Sequence, residues 1–304
     1  MRIATFNVQN LRLRGKDGEE RLDGAWDHDD PLQPDPALDR MDRKLTAQVL
    51  RRMNADVVAL QEVFDQKTLD HFHDHFLAKP GYAPYPVRKC LPGNDGRGLN
   101  VAVMSRDTPL RVITHAHETD ETLGLTSIPP GMTGRRIFRR DCLEVVFRRL
   151  TLFVCHFKAP YPDVERARAI RDLEARALRK IIETRFQHPE REAWLILGDL
   201  NEPAPTSESS ALRDLTDGFA VDLMSRVADD WTYIEPDHNE HVRPDGILAS
   251  PHLAQRFPDT VPEIIRAGLS PETARAAARR LADVNTPRPH ASDHAAICVD
   301  FPGI

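Results

Sequence analysis

The sequence predicts a mixed α/β protein. Short apolar runs bounded by polar or turn residues recur along the whole length, and amphipathic segments at helical spacing separate them. A coarse internal duplication points the same way: a helix over 41–53 with a strand over 55–63 matches a helix over 164–186 with a strand over 194–199. The 304 residues, 40% of them hydrophobic, can bury a substantial core, and no Gly/Ser linker divides them. Disordered, collagen-like and small disulfide-bonded classes are thereby excluded.

Taken in order, residues 2–8 read as a strand. The polar stretch 15–40, with Asp27, Asp29 and Asp30 close together, reads as an excursion on the surface. Leu45, Val49, Leu50 and Met53 then fall at helical spacing, and the β-rich run 55–63 comes next. Further strands are expected at 99–104, 143–147, 151–157, 194–197, 246–249 and 296–300. The helix over 164–186 places Ile170, Leu173, Ala177, Leu178, Ile181 and Ile182 on one side of a surface dense in Arg and Glu. Ser270 as N-cap, with Pro271 and Glu272 behind it, announces a last helix reaching Asp283. Residues 124–134, with Pro129-Pro130-Gly131, read as a rim-forming loop.

Lys+Arg 41 against Asp+Glu 47 gives a net charge of −6, which argues against a protein that coats nucleic acid by charge alone. The N-terminus turns polar too soon for a signal peptide, and no run approaches a membrane span, so a soluble cytoplasmic protein is expected. Cys90, Cys142, Cys155 and Cys298 show no C-x-x-C spacing, which fits reduced thiols rather than a zinc knuckle or a redox pair.

The residues able to carry chemistry cluster at the ends of the apolar runs. Phe6-Asn7, Gln61-Glu62, His156 with Lys158, Asp199 with Asn201, Asp245, and Asp293-His294 each put polar groups where a strand leaves the core. Any one of these has a bland explanation as a solvated strand end, but together they make an inventory. Glu62, Asp293 and the Asn7 amide are hard oxygen donors of the kind Mg²⁺ or Mn²⁺ prefers, and thiolate is absent. Two imidazoles and a spare carboxylate complete what phosphoester cleavage requires.

Thr5-Phe6-Asn7, Leu60-Gln61-Glu62-Val63, Leu197-Gly198-Asp199-Leu200-Asn201, Pro244-Asp245-Gly246-Ile247-Leu248 and Ser292-Asp293-His294 occur in this order from the first residues to the last. In this the chain resembles the endonuclease/exonuclease/phosphatase superfamily, the DNase I-like proteins. The resemblance implies one domain over 1–304, folded as a four-layered α/β sandwich of two packed, mainly antiparallel sheets flanked by helices, with the site at one edge. It implies Glu62 as principal metal ligand, with Asn7 beside it helping to hold metal or phosphate, and Asp293 as a second acidic ligand or a group that tunes the metal site. His294 would contact the scissile phosphate, oriented by Asp245. Asp199 would align or deprotonate the attacking water, Asn201 would hold a non-bridging oxygen, and His156 would stabilise the transition state or protonate the leaving oxygen.

Lys158, two positions after His156, is expected on the same strand side, where its ammonium could meet a phosphate. Asn100 is expected to reach the phosphate with its amide. The run Arg135-Arg136-Ile137-Phe138-Arg139-Arg140, with Arg148 and Arg149 beyond, offers a basic patch with Phe138 for stacking. His71, His73 and His75 look like a shortened zinc motif in a helix, and His238 and His241 lie in a polar loop before Asp245. The expected function is a Mg²⁺- or Mn²⁺-dependent phosphodiesterase acting by in-line attack of water, with DNA as leading substrate. A phospholipid, phosphoinositide or other small phosphoester is the alternative, because the run 155–158 resembles sphingomyelinase-like relatives. No membrane span or obligate protein partner is expected.

Overall fold

The computed structural model describes the chain except residues 17, 27–34, 203–209, 236–238 and 271–279. Strand β1 (Arg2–Leu11) leads into a small hairpin of β2 (Leu13–Arg14) and β3 (Arg21–Leu22). Helix α1 (Pro36–Met53) comes next, and β4 (Val57–Val63) returns parallel to β1. Helix α2 (Gln66–Phe72), β5 (Val87–Cys90) and β6 (Asn100–Ser105) complete this half. The second half contains β7 (Arg111–Thr114), a short α3 (Asp120–Leu123), β8 (Cys142–Val146) and β9 (Thr151–His156). The long α4 (Val164–Arg185) then carries the chain to β10 (Trp194–Asp199), parallel to β9. Last come β11 (Val221–Asp222), a hairpin of β12 (Tyr233–Glu235) and β13 (Glu240–Val242), β14 (Asp245–Ala249), β15 (Glu263–Ile265) and β16 (Ala296–Asp300).

Two six-stranded sheets result, ordered β15-β16-β1-β4-β6-β5 and β7-β8-β9-β10-β14-β11. Each has one parallel pair at its centre, β1/β4 or β9/β10, and its other neighbours are antiparallel. The duplication legible in the sequence is therefore a duplication of sheets, and the α/β sandwich is as expected. Side chains of a strand alternate between faces, which generates the layers. Val57 and Ala59 meet Leu143, Val145, Leu195 and Leu197 between the sheets, while Val58 and Leu60 face Leu45, Val49 and Leu50 of α1. On the other side Phe153, Trp194 and Ile196 pack on Ile170, Leu173 and Ile181 of α4.

Several expectations need correction. Helix α1 begins at Pro36, inside the stretch read as a surface excursion, because Asp35 caps the backbone N–H groups of Ala37 and Leu38 and Pro36 fits the first turn. Asp23 and Asp39 of that stretch are buried, Asp23 paired with Arg14 and Asp39 with Arg288. Strands β5, β7, β11, β12, β13 and β15 escaped the sequence reading; they are short, polar edge or hairpin strands with few apolar residues to alternate. Asp27, Asp29, Asp30 and most of the helix expected over 270–283 lie outside the described residues, and residues 280–283 are not helical.

One buried cation organises the N-terminal half. Arg43 is fully buried on α1 and donates to four carbonyl oxygens, those of Val8, Gln9, Asp23 and Gly24, each at 2.6 Å. Burial lowers its pKa to about 10, with Asp42, Asp23 and Asp39 opposing the shift, so it stays charged at neutral pH. Its neighbour Asp42, equally buried, accepts from the backbone N–H of Ala25 and His290 and from the Arg288 guanidinium. Arg43→Met strands those four buried carbonyls and removes one of the charges facing Asp42, Asp23 and Asp39, at a cost of roughly 3–5 kcal/mol, and Arg43→Lys recovers little because an ammonium cannot span the fork. Urea unfolding midpoints close to wild type in both variants would show that the network is not what holds this region.

Candidate active site

The carboxyl ends of both parallel pairs meet at one edge. Register places Asn7 of β1 beside Gln61, next to Glu62, in one sheet, and His156 beside Asp199, itself opposite Asp245, in the other. Glu62 sits where the β4 ladder slips, with φ +66°, and its Oε2 accepts the backbone N–H of Asn10 at 2.9 Å. Gln9 and Asn10 are left-handed too, at φ +46° and +54°. Three such non-glycine residues at the neighbouring ends of β1 and β4 store strain of about 1 kcal/mol or more each, and the Arg43 clamp on the Val8 and Gln9 carbonyls holds the two on β1 in place.

Asn7 bridges the sheets. Its Oδ1 accepts from Gln9 N at 3.0 Å and its Nδ2 donates to Asp199 Oδ2 at 3.1 Å. Asp199 comes after Gly198, whose φ of +143° and closeness to β9, where a Cβ would stand 1.9 Å from the Cys155 carbonyl oxygen, exclude any side chain. Asp199 Oδ1 accepts from Asn201 N at 3.0 Å, and Asn201, at φ +51°, donates its Nδ2 to the Phe157 carbonyl. His156 Nε2 and His294 Nε2 stand 3.3 Å and 3.9 Å from Asp199 Oδ2. His294 Nδ1 donates to Asp245 Oδ2 at 2.8 Å.

The two imidazoles take opposite charge states. Burial opposes charge on His294, but Asp245, Asp293 and Asp199 outweigh it and hold its pKa well above the usual value. Burial pushes His156 well below, and Arg140, His294 and Arg97 add to the effect, leaving a neutral ring. Burial raises Asp199, Asp245 adds to this, and charged His294 opposes it. Asp245 Oδ1 and His156 Nδ1 are buried without a hydrogen-bond partner among the described residues.

Asp199, Asp245 and His294 form the single compact group of three or more potential metal ligands among the described residues. Their geometry is that of a hydrogen-bonded pair facing an acid, since one His294 nitrogen is engaged by Asp245. Glu62, Asn7 and Asp293 are the other acidic and amide donors expected here, and their chemistry, oxygen only, fits a hard divalent cation. Asp293 reaches this end of β1 through its backbone N–H on Gln9 Oε1 at 3.1 Å.

Other expected contributors are placed differently. Asn100 is engaged by backbone: its Nδ2 donates to the Phe64 and Gly98 carbonyls and its Oδ1 accepts from Gly93 N, so it shapes a loop instead of presenting an amide. Strand β9 ends at His156, so the alternation that would align Lys158 with it stops, and the Lys158 ammonium donates to the Ala159 and Tyr161 carbonyls. Phe138 is core rather than a stacking platform, at 1% exposure, and Arg140 is buried and paired with Asp95. His73 is saturated by Asp74 and the Tyr85 N–H, the His71 and His75 rings lie 4.3 Å apart and tilted by 43°, and the three do not form a compact ligand group among the described residues. His241 stacks on Trp231, and His238 lies outside the described residues.

Sequence reasoning missed the supports. Ser292 Oγ donates to the Asn7 carbonyl and accepts from His294 N, and its place in Ser292-Asp293-His294 was a usable signal. Thr232, thirteen positions before Asp245, carried none.

A family model described as the endonuclease/exonuclease/phosphatase family matches residues 4–294. Similar solved structures include an endonuclease/exonuclease/phosphatase from Beutenbergia cavernae, at 18% identity over 98% of this chain and 70% of that one, TM-score 0.59. An AP endonuclease from Archaeoglobus fulgidus is similar over 99% of both chains at 12% identity, TM-score 0.58. A 3′ phosphatase, NExo, from Neisseria bound to a product DNA hairpin is similar over 99% of both at 17%, TM-score 0.54. No curated protein matches the sequence. With a match spanning nearly its whole length and the sandwich those structures share, the chain belongs to the endonuclease/exonuclease/phosphatase family.

Proposed function

We propose that this chain, a metal-dependent hydrolase of phosphoester bonds by its family, uses Mg²⁺ or Mn²⁺ and cleaves phosphodiesters in DNA, with residues 1–304 working as one unit. The observation that carries the chemistry is the charge arrangement around Asp199: a buried carboxylate between a neutral and a charged imidazole. Burial lifts the affinity of Asp199 for a proton toward what a base at neutral pH requires, so Asp199 would take the proton of the attacking water. His294, charged and donating through Nε2, would neutralise the developing charge on the phosphate. His156 and Asn201 would hold non-bridging oxygens. Glu62, Asn7 and Asp293 would hold the metal, which when bound supplies charge neutralisation on the phosphate oxygens.

DNA is favoured by similarity to an AP endonuclease and to a DNA-bound 3′ phosphatase. The buried state of Phe138 and Arg140 favours the second reading, a small or lipid phosphoester, because it leaves Arg135 and Arg136 as the exposed part of the basic run 135–140. Among the described residues no helix is long and apolar enough to cross a membrane.

Supercoiled plasmid, bis-p-nitrophenyl phosphate and a phospholipid, each with Mg²⁺, Mn²⁺ or EDTA, separate these readings. Plasmid nicking that EDTA abolishes and either ion restores is expected, and turnover of the small or lipid esters alone would move the substrate to the second reading. His294→Ala and Asp199→Asn should each lower kcat by about 10³-fold or more in a chain that melting curves show to be still folded; near-normal rates in either would overturn the mechanism. Glu62→Gln should shift the metal titration to at least about tenfold higher concentration, and an unmoved titration would show that Glu62 is not the ligand.

A further inference from the structure

The short strand β12 holds no acid, base or metal ligand assigned above, yet its first residue and the one before it touch the His294–Asp245 pair. Thr232, fully buried just before the strand, donates its hydroxyl to Asp245 Oδ2 at 2.6 Å, the same oxygen that accepts from His294 Nδ1. The Tyr233 ring lies 4.8 Å from the His294 ring, centroid to centroid. We propose that Thr232 is a positioning residue for the His294–Asp245 pair, its hydroxyl selecting which carboxylate oxygen faces the imidazole; for its effect on turnover this rests on the hydrolase reading above.

A carboxylate can turn about its Cβ–Cγ bond and exchange its oxygens. Asp245 Oδ1 is buried with no partner among the described residues, so none of them chooses the orientation from that side. Two donors converging on Oδ2 do choose it. They hold Oδ2 toward the imidazole, where it accepts from His294 Nδ1, and leave Nε2 facing Asp199. The backbone of Thr232 is itself held on both sides, its N–H donating to the Val242 carbonyl at 3.0 Å and its carbonyl accepting from Ala295 N, next to His294, at 2.7 Å. The hydroxyl is thus delivered from a residue with little freedom to move, and the Tyr233 ring limits rotation of the imidazole it supports.

Thr232→Val keeps the shape and removes the hydroxyl, and Thr232→Ser keeps the hydroxyl. With Mg²⁺ and bis-p-nitrophenyl phosphate, Thr232→Val should lower kcat about 10- to 100-fold with KM within about twofold, and Thr232→Ser should recover kcat to within about threefold of wild type. A readout independent of turnover is the His294 Nδ1–H resonance in imidazole ¹⁵N–¹H spectra, identified by its loss in His294→Ala. It should shift or broaden in Thr232→Val and stay near its wild-type position in Thr232→Ser. Melting curves certify folding, with Thr232→Ala as second variant where valine unfolds the chain. A wild-type protein that hydrolyses no ester with either ion would refute the hydrolase reading, while the spectra still decide the positioning role. An unshifted resonance in a folded variant lacking the hydroxyl, or valine and serine variants of equal kcat, would overturn the proposal.

Discussion

The arrangement on which the site depends is the adjacent buried pair Asp42 and Arg43. One turn of α1 carries a cation that gathers the carbonyls of Val8, Gln9, Asp23 and Gly24, and an anion that gathers N–H groups of Ala25 and His290. Opposite charges stand side by side on the helix, so each lowers the other's cost of burial while binding separate backbone segments. The left-handed residues at the end of β1 and the approach to Ser292, Asp293 and His294 are fastened by this pair. The geometry of the candidate site at one edge is thereby tied to a helix on the outer face of the sheet.

The second constraint is symmetry. Each sheet carries one parallel strand pair, and a parallel pair joined by a helix brings two carboxyl ends to the same edge. Packing two such sheets face to face brings four carboxyl ends together, hence Asn7, Glu62, His156 and Asp199. Two further strands add Asp245 and, through its preceding turn, His294. Like charges crowd there, and one protonated imidazole between carboxylates offsets them. The neighbouring imidazole stays neutral, chiefly because it is buried and also because Arg140 and the charged His294 are near. One site therefore offers a charged and a neutral imidazole from the same residue type by environment alone.

The sandwich and its duplication were legible because strands buried on both faces, such as Val57-Val58-Ala59-Leu60, read as continuous apolar runs, and because Glu62, Asp199, Asp245 and His294 each interrupt or border such a run. Edge strands such as Arg111–Thr114 carried too few apolar residues to register. Lys158 was misplaced because alternation holds only while a strand continues, and this one ends at His156. Asn100 and Phe138 were misjudged because a residue type does not reveal whether its polar atoms or its ring are engaged by the chain itself.

By itself the sequence determined the fold class, the central strands of both sheets and the polar residues at their ends, since apolar periodicity and charge at strand ends are local properties. Tertiary structure alone decided the contrasting charge of His156 and His294, the bridge of Asn7 to Asp199, the support of Asp245 by Thr232, and the engagement of Asn100 and Lys158 by backbone. Each depends on which distant atoms share a low-dielectric edge, and hydrogen bonds and pKa values answer to distance in space rather than to separation along the chain.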